Sequence, residues 1–306
     1  QKLFMALAIR KIKRQIKSVK NTQKITKAME MVSASKMRKA VASTLLSRDY
    51  AETAWKAVLR VAQKSDKELH PLLNQSKEIK KIGILLLSSN RGLCGAFNQQ
   101  IIKKALSFVA AQAPSAELEF ITYGSKGAGA CVKNGFKVVA DFPKSEVLAD
   151  LSEMRFLSQA ALDGFLIQKY DRVVLMFTDF ISPLKQKPVI KQLLPLNLTA
   201  ISDEEKKLLK EIEEQDQVDP GEYLFEPSAD FVLRTFLPRL LELQIYQAVL
   251  ESNASEHSAR MLAMRNASDA AGSLLSDLTL GFNKARQAGI TQEINEISVS
   301  KAVLEN

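Results

Sequence analysis

The chain has 306 residues, 46% hydrophobic and 25% charged, a globular balance that excludes wholesale disorder. Its longest apolar runs, such as Ile84–Leu87, are far too short to cross a bilayer. The net charge of +9 sits at one end: residues 1–70 carry 17 Lys/Arg against 5 Asp/Glu, residues 239–306 carry 6 against 8, and the middle carries 20 against 21. A basic end of this kind seeks an acidic partner, which nucleic acid, lipid head groups or an acidic protein surface all supply.

Residues 1–70 contain neither Gly nor Pro, and all nine prolines lie between Pro71 and Pro238. The chain therefore divides into a breaker-free beginning (1–70), a punctuated middle (78–228) and a nearly breaker-free end (229–306). The basic start, through Gln15, has a short apolar stretch and no small-residue cleavage site, so it reads as helix and not as a signal peptide. Ile9, Ile12, Ile16 and Val19 step by three and four, the spacing of one helix face. That seam is expected to shift at Gln23 and resume as Ile25, Met29 and Val32. Arg10, Lys11, Lys13, Arg14 and Lys17 surround it, either as a solvated face or as a partner surface.

In the middle the period changes. Short apolar runs predict strands at Lys81–Ser88, Leu118–Tyr123, Phe136–Phe142, Asp171–Phe180 and Pro188–Pro195, the last an edge strand because of its prolines. Helices are predicted at Ala96–Ala113 and Glu146–Lys169. A Gly-rich turn is predicted at Gly124–Gly129, followed by a short helix to Asn134. Alternation of strand and helix implies a mostly parallel, Rossmann-like sheet. Asp203–Val218 reads as a charged linker or short helix.

From about Ser228–Phe231 the pattern is helical to the end. Ala271, Leu275, Leu278, Phe282 and Ala285 form a seam, expected to shift and continue as Ile290, Ile294, Ile297 and Leu304. A helix of about 65 residues reaches on the order of 100 Å, more than one chain of this size can cover. The fold class is thus α/β: a long antiparallel coiled coil of the N- and C-terminal helices plus a central Rossmann-like α/β domain.

Motifs for chemistry are weak. Gly124–Gly129 has neither GxGxxG nor a GxxxxGK followed by Ser or Thr, and reads as a turn. Asn90–Gly95 precedes a helix, where an anion could sit, but no Lys-Ser/Thr follows, so tight-turn geometry is the better account. His70 and His257 are isolated, and Cys94 and Cys131 lack metal spacing, so no metal or cofactor is expected. Glu293 and Glu296, one turn apart, read as partner contacts and not as a catalytic pair, since a long helix offers no cleft. Asn253 and Asn266 match the glycosylation pattern by chance. Gly272, Gly281 and Gly289 each cost about 1 kcal/mol in a helix interior, which close packing against the first helix would explain.

The residues Asn21–Lys39 and Lys284–Ile297 closely resemble the terminal helices of the gamma-subunit family of F-type ATP synthases. Asn90–Asn98, Gly124–Gly127 and Lys191–Leu196 are similar to its internal landmarks, so the likeness spans almost the whole chain. It looks bacterial, since the cysteine-bearing insertion of the chloroplast form is missing, and thiol control is not expected.

The resemblance implies a non-catalytic rotor shaft without cofactor or nucleotide. Its partners would be the alpha, beta and epsilon subunits and the c-ring, with membrane contact only through that ring. It would sit peripherally at the cytoplasmic face of the bacterial plasma membrane. The same resemblance implies that Arg286, Gln287, Thr291 and Glu293 meet the catch loops of beta, and that Met29 and Arg260 tune coupling. Two other readings remain at this level. A nucleic-acid-binding coiled coil would use the basic helix, although few aromatics lie among its lysines. A nucleotide enzyme would use the α/β domain.

Overall fold

The structure, a computed structural model, describes residues 2–63, 70–73, 78–112, 115–145, 151–196, 226 and 228–304. The segment Asp203–Val218 lies outside them. The elements run α1 (Lys2–Gln63), β1 (Lys81–Leu87), α2 (Phe97–Gln112), β2 (Glu117–Tyr123), α3 (Ser125–Lys133), β3 (Lys137–Phe142), α4 (Leu151–Leu166), β4 (Arg172–Ser182), β5 (Lys185–Leu194) and α5 (Ala229–Leu304). Two compact units emerge, one of residues 1–33 with 260–306, the other of residues 34–259.

The larger unit holds a five-stranded sheet in the order β3-β2-β1-β4-β5. Its pairs are parallel except β4–β5, and β5 is an edge, as its Pro188 requires. β1 is buried on both faces, which is why it reads as a continuous apolar run. Ile82, Ile84 and Leu86 pack with Ile101 and Ala105 of α2 and Cys131 of α3. Leu85 and Leu87 pack on the other face with Met154 and Leu157 of α4 and Leu233, Leu237 and Leu241 of α5. Burying each such leucine contributes about 2 kcal/mol. That offsets the cost of Pro238 inside α5, where a backbone donor is missing. Ser228 starts α5, its hydroxyl oxygen accepting from the Phe231 N–H at 3.2 Å.

Gly124–Gly129 is mostly helix, not turn. Gly124 alone makes the turn, at φ 112°, where a side chain would collide with the Ser88 carbonyl. The next N–H groups find partners at once: Gly127 donates to Ser88 Oγ at 2.7 Å and Lys126 to the Ser89 carbonyl at 3.0 Å. Helix α3 can therefore begin at Ser125.

The smaller unit pairs α1 with α5. Gln23 Nε2 donates to the Ser268 carbonyl at 3.5 Å, and a Cβ on Gly272 would lie 3.1 Å from Gln23 Nε2. In the larger unit Ser47 Oγ donates to Gln247 Oε1 at 2.6 Å. Moving up α1 from 23 to 47 thus moves the partner down α5 from 268 to 247, so the pairing is antiparallel.

Neither expected seam shift occurs. On α1 an unbroken three-four rhythm runs through the covered positions Ile9, Ile12, Ile16, Val19, Gln23, Thr26, Glu30 and Ser33, with Met29 half-buried next to Glu30. On α5 the same rhythm runs through the covered positions Met261, Met264, Ser268, Ala271, Leu275, Leu278, Phe282, Ala285, Gly289 and Gln292, with other half-buried residues beside them. Of the apolar residues expected to resume the seams, Met29 is half-buried beside Glu30, the side chain of Leu304 lies outside the described residues, and the others face outward: Ile25 and Val32 are 60% and 58% exposed, and Ile290, Ile294 and Ile297 are 49%, 56% and 69% exposed. Small and polar residues keep the seam where apolar ones were expected, so hydrophobicity no longer marks the helix–helix contact there. Gly272 does meet the first helix, whereas nothing lies within 4 Å of a Cβ on Gly281.

At the amino ends of the strands, Glu119 is buried. The Tyr170 hydroxyl donates to it at 2.8 Å, and Lys137 and Lys169 pair with it at 2.5 and 2.6 Å. Burial opposes its ionisation, but hydrogen bonds from Lys137, Lys169 and Tyr170 prevail and bring its pKa from 4.5 to about 2. A carboxyl held lower in the fold than in the unfolded chain stabilises fully above the unfolded value, and that support drains away as pH falls through the folded one. Glu119→Gln is expected to cost about 2 kcal/mol in urea unfolding at neutral pH. The gap between parent and variant should close as acid is added between 4.5 and about 2.

Candidate functional site

Two places in the molecule qualify as sites. The first is the carboxyl edge of the sheet between β1 and β4. In doubly wound folds ligands bind there, where the chain order reverses direction. Chain order runs outward from β1 through β2 to β3, then crosses back to β4, so this is the reversal point.

Here the crevice is filled by the chain itself. Ser88, Ser89 and Thr178 at its rim are buried, and Ser255 Oγ of α5 donates to the Thr178 carbonyl at 3.2 Å. The Asn90–Gly95 segment closes on itself. Ser89 Oγ donates to the Arg91 carbonyl at 2.7 Å, and Asn98 Nδ2 donates to Ser89 Oγ at 2.7 Å and to Cys94 Sγ at 3.2 Å. Leu93 and Gly95 turn the backbone through φ 62° and 57°. Ser88 and Ser89 occupy the Gly127 and Lys126 N–H groups of α3, and the Cys94 carbonyl takes the Phe97 N–H that starts α2 at 3.2 Å, so these donors are not open to an anion.

The other candidate groups lie apart. His70 is buried, its Nδ1 accepting from the Leu72 N–H at 3.3 Å, and His257 is half-buried. Cys94 and Cys131 are free and buried, and burial pushes the Cys131 thiol up to about 11. No group of three or more metal-ligating side chains occurs among the described residues.

The second place is the outer surface of the paired helices. Arg286, Gln287, Thr291 and Glu293 are all exposed on α5, with the Thr291 hydroxyl donating to the Gln287 carbonyl at 3.0 Å. They alternate with the outward Ile290, Ile294 and Ile297. Glu293 therefore lies in no cleft, while the side chain of Glu296 is outside the described residues. Met29 and Arg260 are half-buried, and Arg260 has partners within the fold. On α1, Arg10, Lys11, Lys13, Arg14 and Lys17 are exposed, and so are Ile25, Met31 and Val32. The result is a polar surface that carries large exposed apolar side chains on both helices.

A family model described as ATP synthase matches residues 8–303. The ATP synthase gamma chain of Chloroflexus aurantiacus is 40% identical over 298 residues, 96% of this chain and 98% of that one. That of Nitrosospira multiformis is 40% identical over 289 residues, 94% and 96% of the two chains. The chain belongs to the ATP synthase gamma-chain family. As such it is a non-catalytic rotor-shaft subunit. Solved structures agree in fold. A chain of the Tetrahymena thermophila mitochondrial ATP synthase central stalk and c-ring matches with a TM-score of 0.58 and 22% identity, over 80% of this chain and 99% of that one. A chain of the Euglena gracilis mitochondrial ATP synthase matches at 0.66 and 17%, over 98% and 95%.

Sequence reading missed what fills the crevice. The sequence signal available was Ser252, Ser255 and Ser258, serines three residues apart on one side of a helix; the structure buries all three.

The two helix faces separate by substitution. Met264→Ala, in the seam and buried, is expected to lower unfolding stability by about 2 kcal/mol. Ile294→Ala, on the outside, is expected to change it by less than about 0.5 kcal/mol. Thermal unfolding followed by circular dichroism reads both.

Proposed function

We propose that the paired helices of this chain turn inside a sleeve of alternating alpha and beta subunits, while its α/β domain meets epsilon and the c-ring. The observation that carries this is the outward set of apolar side chains on both helices: Ile25, Met31 and Val32 on α1, Ile290, Ile294 and Ile297 on α5. Left in water, about 25 cal/mol is forgone for each Å² of such surface, so a covering partner is favoured. A sleeve fits better than a single docked protein, since both helices of the pair carry the outward residues.

In this reading Arg286, Gln287, Thr291 and Glu293 contact loops of beta, and their exposure supports it. Met29 and Arg260, half-buried beside the seam, tune how firmly each angle is held. The exposed cations of α1 face acidic protein surface and not nucleic acid. The cut by function is part of the proposal: shaft helices 1–70 and 229–306 around the central 78–228. So is a peripheral place at the cytoplasmic face of a bacterial plasma membrane, reached only through the c-ring. No described helix is long and apolar enough to cross a membrane, and the curated relatives named above are bacterial.

The mechanism follows from energetics. A shaft couples distant sites only if its contact energy with each catalytic subunit differs from angle to angle. An apolar residue on one flank and a charge on another give such an asymmetric surface.

Reconstitution tests this: added to alpha and beta subunits, the chain should restore rotation-coupled ATP hydrolysis, and failure to co-assemble would overturn the proposal. Met29→Lys in a full complex should keep ATP hydrolysis within about twofold while lowering proton transport severalfold, since a new charge favours one angle. Equal loss of both activities would count against it.

A further inference from the structure

Within the larger unit, α5 changes the way it is held. From Leu233 to Leu250 it is anchored mainly by large apolar side chains, with buried Glu242 in a long 3.8 Å ion pair to the exposed Arg155 of α4. From Ser252 to Ser258 the buried side chains are small or polar: Ser252, Asn253, Ala254, Ser255, Glu256 and Ser258. Two neighbours make directed ties. Ser255 Oγ donates to the Thr178 carbonyl of β4 at 3.2 Å. Glu256 forms an ion pair with Lys144, just beyond β3, and each side chain is 8% exposed. Lys144 is itself fixed, its carbonyl accepting from Asn90 Nδ2 at 2.7 Å.

We propose that the Lys144–Glu256 pair is a torque-bearing key that stops α5 from rolling on the α/β domain. This rests on the rotor reading above. Two observations carry it, the directions of the ties and their place on α5. Consecutive helix residues point about 100° apart, so ties from Ser255 and Glu256 hold the helix from two directions. Apolar contact is non-directional and lets a helix slip about its axis, whereas a buried ion pair is directional. A buried pair adds little net stability over apolar replacements, and its best-attested use is to fix register. Its position suits that use, because Glu256 lies one turn before Arg260, where α5 passes from one compact unit to the other. A twisting load along α5 passes through that turn. Lys144 and Glu256 are positioning residues: neither is proposed to touch a catalytic subunit.

The test uses the full complex in proton-tight vesicles, measuring ATP hydrolysis and ATP-driven proton uptake on the same preparation. Glu256→Gln and Lys144→Met should leave hydrolysis unchanged or higher and lower protons moved per ATP severalfold. The reversed pair, Lys144→Glu with Glu256→Lys, should recover at least half of the lost ratio, and Lys144→Arg should keep it. Glu119→Gln weakens the same domain at a place that makes no tie to α5, so its ratio should match the parent. Unchanged ratios in Glu256→Gln and Lys144→Met, or an equal fall in Glu119→Gln, would overturn the key. If the unaltered chain itself restores no pumping to a complex lacking its gamma chain, the rotor reading fails, which is a separate result.

Discussion

The structure depends on an antiparallel contact between helices from opposite ends of the sequence. Its seam keeps a strict three-four rhythm on both sides, even where the residues available are Gln23, Thr26, Glu30 and Ser33. Gln23 meets the Ser268 carbonyl beside Gly272, a place where small residues let the backbones approach. Because the rhythm holds, the large apolar residues beside it are forced outward. The pairing of the two helices and the character of their outer surface are thus one constraint. A seam that followed the apolar residues would have produced a stable, self-contained rod with nothing to offer a partner.

The α/β domain obeys the same economy of parts. It is a doubly wound sheet whose ligand crevice is taken by the chain's own helix. Helix α5 covers the second face of the sheet with leucines, then lays its serine-rich stretch at the carboxyl edge between β1 and β4. A fold that serves elsewhere as a nucleotide cradle serves here as an anchor for a helix. The charged cluster around Glu119 closes the opposite ends of the strands and adds rigidity without a site.

Most of the fold was legible in the sequence. The buried strands announce themselves as apolar runs, and Pro188 marks the edge strand. The family could be read from Asn21–Lys39 and Lys284–Ile297. What misled was hydrophobicity used as a guide to the seam. Ile25, Val32, Ile290 and Ile294 have the spacing of a core, and nothing local says that they face outward. Gly124–Gly129 misled for a different reason: its helix starts only because Ser88 and Ser89, distant in sequence, receive its first N–H groups. The ties of Lys144 to Glu256 and of Ser255 to Thr178 join positions far apart in the chain and leave no periodic trace.

The central claim is that these outward apolar residues are open in the free chain and covered in the assembly. Cysteine placed singly at Ile294 or Leu278 and labelled with a maleimide tests it directly, with the buried Cys94 and Cys131 as the background. The account predicts fast labelling at position 294 in the free chain, strong protection there after assembly with alpha and beta subunits, and slow labelling at 278 in both. Slow labelling at 294 in the free chain, or unchanged labelling after assembly, would contradict it.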